Sequence, residues 1–310
     1  KAKTVLEGLP VKNVVSWNAL IAGYIQHKQG QEALDCFVQM QKAGLAPNEI
    51  TFSCILKACG NIGAIDKGKQ IHNEIVSRGL GEKNIVLITA LVDMYAKCGM
   101  LSKAQELLEE LPVRDIISWS ALIAGYAQED QSHEALNCYE QMQREGLLPN
   151  EITFTCILKA CGSIGALDKG KQIHNEIIVR HLLENNIVLG SALVDMYARC
   201  GSLNKACEVL EDLPIRDTVS WNTLISGYAQ EGYCDEALNS FQHMVYEGLY
   251  PNEITFTGVL SACSHSGKTN EAQAFYDSMI TKYRISPNLE HDTCMVVVFG
   301  SIGRFDKAMA

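Results

Sequence analysis

The heptapeptide KQIHNEI occurs twice, at residues 69–75 and 171–177, and each copy carries His-x-Glu: His72 with Glu74, and His174 with Glu176. In zinc-dependent nucleobase deaminases a histidine at this spacing ligates the metal and the glutamate moves the proton. That site also needs a Pro-Cys-x-x-Cys segment to complete the zinc coordination. No Cys-x-x-Cys occurs among the 12 cysteines of this chain. The pairs Cys59/His72 and Cys161/His174 share one spacing, which is what duplicated packing positions give and a single metal centre does not. Cys54 and Cys59 stand more than one helical turn apart, a poor chelating geometry, and Cys263 with His265 has no second pair of ligands nearby. No nucleophile elbow, Walker-type loop or dinucleotide-binding glycine pattern is present. The residues therefore imply no catalytic group, no metal site and no cofactor.

Both heptapeptides occupy one place in a longer period. Trp17, Trp119 and Trp221 each sit in a Val/Ile-Ser-Trp-Asn/Ser sequence, and successive tryptophans are 102 residues apart. Residues 49–77 and 151–179 differ at only five positions. Helix-turn-helix patterns restart at Val14, Glu49 and Ile85, dividing each period into units of 35, 36 and 31 residues. The frame predicts units at 14–48, 49–84, 85–115, 116–150, 151–186, 187–217, 218–252 and 253–288, with partial short units at 1–13 and 289–310.

Within the first unit Trp17, Leu20, Ile21 and Tyr24 have the i, i+3, i+4, i+7 spacing of a buried helical face, and Ala33, Phe37 and Met40 mark a second helix. Gly44 fits the left-handed position that ends a helix, and Pro47 blocks its continuation. All seven prolines (10, 47, 112, 149, 214, 251 and 287) stand near the ends of units. A pair of helices this short cannot bury both apolar faces alone, so neighbouring pairs must stack. The expected fold is all-α: a right-handed superhelical α-solenoid of helix-turn-helix repeats, forming one array with a concave groove.

Composition agrees with that class. The chain has 310 residues, is 47% hydrophobic, and carries a formal charge of -10 with a pI near 5.3. Bulk electrostatic attraction to nucleic acid is not expected, although a locally basic groove is compatible with these figures. No apolar run is long enough to span a membrane, and the opening KAKTVLEGLP is unlike a secretory signal. The cysteines lie inside helical patterns, where a thiol acts as a small apolar residue, and point to a reducing compartment.

Polar residues near the starts of the first helices vary while their surroundings repeat. Asn18, Ser120 and Asn222 follow the tryptophans, and Ser53, Thr89, Thr155, Ser191 and Thr257 are their equivalents. Units close on Asn48, Asn84, Asp115, Asn150, Asn186, Asp217, Asn252 and Asn288. Helix capping accounts for the residue class but not for the confinement of Asp to the complete short units. An aliphatic residue stands second in each complete unit: Val15, Ile50, Val86, Ile117, Ile152, Val188, Val219 and Ile254. These could seal the junction between units or contact a ligand in the groove.

At these residues the sequence resembles the plant pentatricopeptide repeat family, in its P-L-S subclass. VSWNALIAGY, ITFTCILKACGSIGALDKGKQIH and ALVDMYAKCG match the 35-residue P, 36-residue L and 31-residue S units in turn, over essentially the whole chain. The resemblance implies binding of single-stranded RNA, one nucleotide per repeat and parallel to the strand. The residue after the helix aromatic and the last residue of the same repeat would read the base, and the aliphatic second residues would sandwich it. Asn18 with Asn48, and Asn222 with Asn252, then favour pyrimidine. Thr89 with Asp115, and Ser191 with Asp217, favour G, because Asp accepts from an imino N–H. Ser120 with Asn150 favours A. Ser53 with Asn84, Thr155 with Asn186 and Thr257 with Asn288 lie in L units, which follow the code poorly. The implied target is 5′-Y-n-G-A-n-G-Y-n-3′, where Y is a pyrimidine.

Lys97 and Arg199, near the ends of equivalent helices, are candidate phosphate contacts. In the last partial unit Asp292 and Val297 depart from the S pattern, which puts the contact of Thr293 in doubt. The resemblance further implies a recognition array of an organellar C-to-U RNA editing factor, in chloroplast or mitochondrion, working with a helper protein or a deaminase-domain protein. A transit segment would lie upstream of Lys1. A helical-repeat scaffold for protein partners is the alternative.

Overall fold

The computed structural model describes residues 13–80, 84–184 and 186–301. Pro10 and the outer parts of both partial units, at 1–12 and 302–310, lie outside the described residues. Among those described there are 17 helices and no strand, and no helix is long and apolar enough to cross a membrane.

The helices come in pairs. They are α1 Val14–Gln26 with α2 Gly30–Lys42, α3 Glu49–Ile62 with α4 Ile65–Ser77, α5 Ile85–Lys97 with α6 Leu101–Glu110, and α7 Ile116–Gln128 with α8 Ser132–Arg144. They continue as α9 Glu151–Ile164 with α10 Leu167–Val179, α11 Ile187–Arg199 with α12 Leu203–Asp212, α13 Thr218–Gln230 with α14 Cys234–Tyr246, and α15 Glu253–His265 with α16 Thr269–Thr281, ending at α17 Leu289–Ser301. Two compact units divide the chain, residues 1–157 and 158–310.

Local chemistry sets the ends of each pair. Asn48 takes an extended conformation before α3 and its side chain accepts from the Thr51 N–H, so the helix cannot start earlier. At the other end of the preceding pair Gly44 adopts φ +76°, a left-handed conformation costly for residues with a Cβ, and Pro47 follows.

In residues 1–157 α1 packs on α3, α3 on α5 and α5 on α7, while α2 fills the wedge between α1 and α3, its neighbours on either side. In residues 158–310 α11, α13, α15 and α17 pack in the same succession. The core lies between the helix layers: Trp17, Leu20, Ile21 and Ile25 of α1 meet Ala33, Phe37 and Met40 of α2 and Phe52, Ile55 and Leu56 of α3, all buried. Tyr24 is only half-buried, and Ile25 takes the innermost position at that turn. Fully burying one such side chain contributes about 1.5–3 kcal/mol, and the interlock repeats from hairpin to hairpin. Close approach is needed at Gly68 and Gly170, where a Cβ would come within 2.5 Å and 2.4 Å of the sulfurs of Met94 and Met196.

Candidate functional site

The two His-x-Glu copies make the same packing contact. His72 Nδ1 lies 2.8 Å from the Tyr95 hydroxyl and His174 Nδ1 lies 2.9 Å from that of Tyr197, each pair joining neighbouring hairpins with the rings edge to face. Burial holds both imidazoles below their ordinary pKa, assisted by Lys103 and Lys205 and opposed by Glu110 and Asp212. Cys59 and Cys161 are fully buried, and burial pushes their thiols up to about 11 and about 12. Such thiols behave as apolar filling.

The polar residues at the helix starts form a more specific arrangement. Every closing residue caps the helix that follows. Asn48, Asn84, Asp115 and Asn150 accept from the backbone N–H of Thr51, Leu87, Ser118 and Thr153 at 3.0, 3.2, 2.8 and 2.8 Å. Asn186, Asp217, Asn252 and Asn288 accept from that of Leu189, Ser220, Thr255 and His291 at 3.0, 2.9, 3.1 and 3.1 Å. Capping fixes the orientation of each amide, since only Oδ1 can accept and Nδ2 must therefore turn away from the helix. Asn presents a donor on its outer side, and Asp presents a carboxylate oxygen.

The residues after the tryptophans join these caps to different degrees. Asn18 Nδ2 donates to Asn48 Oδ1 at 3.1 Å, and Asn222 Nδ2 donates to Asn252 Oδ1 at 3.0 Å. Ser191 Oγ, with one proton to give, lies 3.0 Å from the Ile187 carbonyl and 3.3 Å from Asp217 Oδ1. Ser120 reaches Asn150 through Thr153, whose Oγ1 is 2.8 Å from Ser120 Oγ and donates to Asn150 Oδ1 at 2.9 Å. Thr89 is not joined to Asp115: its buried Oγ1 has no hydrogen-bond partner. Ser53 is half-buried, whereas Thr155 and Thr257 turn back on their own helices, donating to the carbonyls of Glu151 and Glu253 at 2.9 and 3.1 Å. Thr293 does the same with the Leu289 carbonyl at 2.6 Å, and Asp292 accepts from Tyr276 at 2.7 Å.

The aliphatic second residues do not seal the junctions between hairpins. Val15, Ile50, Val86, Ile117, Ile152, Val188, Val219 and Ile254 are all 61–73% exposed, each in the first turn of its helix beside the capped end. Within residues 158–310 a cleft of about 410 Å³ is lined by Val219, Ile254, Asn222 and Asn252 together with Asp195 and Arg199. Its size is in the range of small-ligand clefts, about 300–1,000 Å³. Arg199 is paired with Asp195 at 2.9 Å and Lys97 with Asp93 at 2.8 Å, each four residues back on the same helix. These acidic partners were readable from their i, i+4 spacing. The bridging hydroxyls of Thr51, Thr153 and Thr255 also had a sequence signal, a Ser/Thr three residues after each cap, but only the fold shows where they reach.

The sequence matches the PPR repeat family over residues 12–61, 114–163 and 216–265, and the PPR repeat over residues 50–80, 86–116, 191–216 and 254–283. A mitochondrial pentatricopeptide repeat-containing protein of Arabidopsis thaliana is 36% identical over 307 residues, covering 99% of this chain and 55% of the relative. The Arabidopsis pentatricopeptide repeat-containing protein CRR2, chloroplastic, is 37% identical over 313 residues, covering 99% of this chain and 47% of its own. The chain spans about half the length of the curated relatives it matches. A crystal structure of the pentatricopeptide repeat protein PPR10 in complex with an 18-nt psaJ RNA element superposes with a TM-score of 0.81 at 22% identity, covering 99% of this chain and 46% of that one. That likeness shows the all-α helical-repeat solenoid fold. With the repeat matches spread along most of its length, the chain belongs to the PPR repeat family.

Proposed function

We propose that this chain is a single-stranded RNA-recognition array that assigns one repeat to each nucleotide. The observation that carries the reading is the cleft whose lining brings together exposed Val219 and Ile254 with Asn222 and Asn252. Two aliphatic side chains suit the faces of an unstacked base, and the amides suit its edge. The crystallised PPR10 complex, which holds an RNA element, supports the same reading by likeness of fold.

Recognition follows from which atom each cap turns outward. Asn48 and Asn252 offer Nδ2 as a donor to the acceptor edge of a pyrimidine. Asp115 and Asp217 offer a carboxylate oxygen to the imino N–H of G, and Ser120 with Asn150 leaves room for A. With P repeats at 14–48, 116–150 and 218–252, L repeats at 49–84, 151–186 and 253–288, and S repeats at 85–115 and 187–217 between partial S repeats, the target is 5′-Y-n-G-A-n-G-Y-n-3′. Lys97 and Arg199 contact phosphate by exchanging their intrahelical carboxylates for it.

The P-L-S order further makes this the recognition part of an organellar C-to-U editing factor, with deamination performed by a domain or partner beyond these residues. The chloroplastic and mitochondrial names of its relatives support an organellar site. The test is binding of the purified chain to a short single-stranded RNA of the proposed sequence, against one with G and Y exchanged, at about 150 mM salt where loose phosphate contacts are screened. Preference for the proposed strand is the expected result. Equal binding to both sinks the base assignment, and no binding to either moves the chain to a protein scaffold.

A further inference from the structure

Three threonines that belong to the next repeat reach back to the residues proposed to read bases. Thr51 Oγ1 donates to Asn18 Oδ1 at 2.7 Å, and Thr255 Oγ1 donates to Asn222 Oδ1 at 2.6 Å. Thr153 Oγ1 is 2.8 Å from Ser120 Oγ. All three threonines are fully buried, so no solvent competes for these bonds. We infer that Thr51, Thr153 and Thr255 are positioning residues that set the hydrogen-bonding polarity of Asn18, Ser120 and Asn222 in base recognition, an inference that rests on the base-reading role proposed above.

The polarity argument is a count of protons. The Thr255 hydroxyl accepts from the Asn252 backbone N–H at 3.0 Å, and its single proton goes to the nearer acceptor, Asn222 Oδ1 at 2.6 Å rather than Asn252 Oδ1 at 3.1 Å. Asn222 Oδ1 is thereby held toward the threonine and Nδ2 toward Asn252. An Asn222 amide turned by 180° about its last bond would set Nδ2 against the hydroxyl and Oδ1 against Asn252 Oδ1, two acceptors in contact. The Asn252 cap and the threonine hydroxyl together disfavour that alternative, the cap by the clash of acceptors and the hydroxyl by the short bond that the turned amide would give up. Without the hydroxyl only the bond to Asn252 holds the amide, so its preference for one orientation toward a base weakens while its contact with the base remains.

The same position differs where the preference is expected to be weak. After the 49–84 and 151–186 units it is Leu87 and Leu189, which carry no hydroxyl. After the 253–288 unit it is His291, whose Nδ1 accepts from the Asn288 N–H at 3.2 Å and whose Nε2 donates to the Glu253 carbonyl at 2.9 Å. Both ring nitrogens are used, and nothing is left for Thr257. The three 36-residue units thus lack the hydroxyl that orients the reading residue in all three 35-residue units.

The experiment is binding of the full chain to two sets of four single-stranded RNAs. One set varies only the nucleotide assigned to Asn222 and Asn252, the other only that assigned to Asn18 and Asn48. Thr255→Val keeps the shape of the side chain and removes the hydroxyl, Thr255→Ser keeps the hydroxyl, and Thr51→Val repeats the change in the other repeat. Thr255→Val is expected to shrink the pyrimidine-over-purine ratio at its own nucleotide by roughly 3- to 10-fold and leave the ratio at the other nucleotide intact. Thr51→Val should do the converse, and Thr255→Ser should restore the ratio. Weaker binding to all eight RNAs with both ratios unchanged assigns the threonines to helix capping alone and overturns the positioning role while base reading stands. An unsubstituted chain with no preference at either nucleotide overturns base reading and positioning together. Circular dichroism checks folding, and Thr153→Val, read at the nucleotide of Ser120 and Asn150, carries the test if Thr255→Val does not fold.

Discussion

The indole N–H of Trp221 donates to Glu247 Oε2 at 2.9 Å, and the other oxygen of Glu247 pairs with Arg216. Trp119, Glu145 and Arg114 repeat the arrangement one period earlier, with the indole bond again at 2.9 Å. One period earlier still the residue in place of the glutamate is Ala43, and the buried Nε1 of Trp17 has no hydrogen-bond partner. Ala43→Glu should satisfy that donor and stabilise the first hairpin by about 1 kcal/mol, whereas Glu247→Ala should cost about 1–3 kcal/mol by leaving the Trp221 N–H buried and unpaired. Urea unfolding midpoints measure both. A midpoint unmoved by Ala43→Glu would mean that the introduced carboxylate does not reach the indole.

Exposure separates binding from stability at the aliphatic second residues. Val219→Ser and Ile254→Ser act on side chains that are each 61% exposed, so the unfolding free energy should stay within about 0.5 kcal/mol of the parent. Affinity for the proposed RNA should fall about 3- to 10-fold for each, because a base loses one apolar wall. Unchanged affinity in a stably folded variant would remove these residues from the interface.

Ser120→Asn would recreate at the 116–150 repeat the residue set of the 14–48 repeat, with Asn150 as cap and Thr153 as the bridging hydroxyl. The fourth nucleotide of the proposed target should then shift from A toward pyrimidine, at the level of about tenfold in relative affinity. Binding to four RNAs that vary only that nucleotide reads the shift directly. A retained preference for A would refute the assignment of this repeat.

The His72–Tyr95 and His174–Tyr197 pairs give the array an acid-sensitive term. Burial lowers both histidine pKa values in the folded chain, so the unfolded chain takes up protons first as the pH falls below about 6.5. Stability is therefore full above that value and declines as the pH drops toward the lowered folded-state values. Unfolding midpoints at pH 7.5, 6.5 and 5.5 should decrease in that order. The decrease should be smaller in the His72→Gln, His174→Gln double variant, and an equal decrease would place the sensitivity elsewhere.

Much of the fold was legible because its signals repeat in register. The spacing of Trp17, Leu20 and Ile21 marks one buried face and all three are buried, and Gly44 has the left-handed conformation that its place after a helix suggests. The same spacing extends the face to Tyr24, which is half-exposed because the apolar stripe drifts around the helix and Ile25 takes the inner position. The candidate site was legible in its residue types and not in its connections. Asn18 and Asn48 meet directly, whereas Ser120 and Asn150, the same 30 residues apart, do not. That Ser120 reaches Asn150 only through Thr153, and that the Thr89 hydroxyl is left alone, depends on side-chain length across a packed junction. The exposure of Val15 and its equivalents was equally beyond the pattern, since an aliphatic residue in the first turn reads the same whether it faces a neighbour or solvent.

Each hairpin closes on the residue that begins the next helix, and that double duty limits how the array can change. A position that must cap admits Asn, Asp, Ser or Thr and little else without a loss of about 0.5–2 kcal/mol. Within that short alphabet Asn48→Asp turns an outer donor into an acceptor and Asp217→Asn does the reverse, while the inner oxygen goes on holding the helix start. An inherited or engineered change of this kind alters what the surface offers a ligand and leaves the scaffold unburdened. Lineages of such arrays can therefore drift in specificity one hairpin at a time without passing through unstable intermediates.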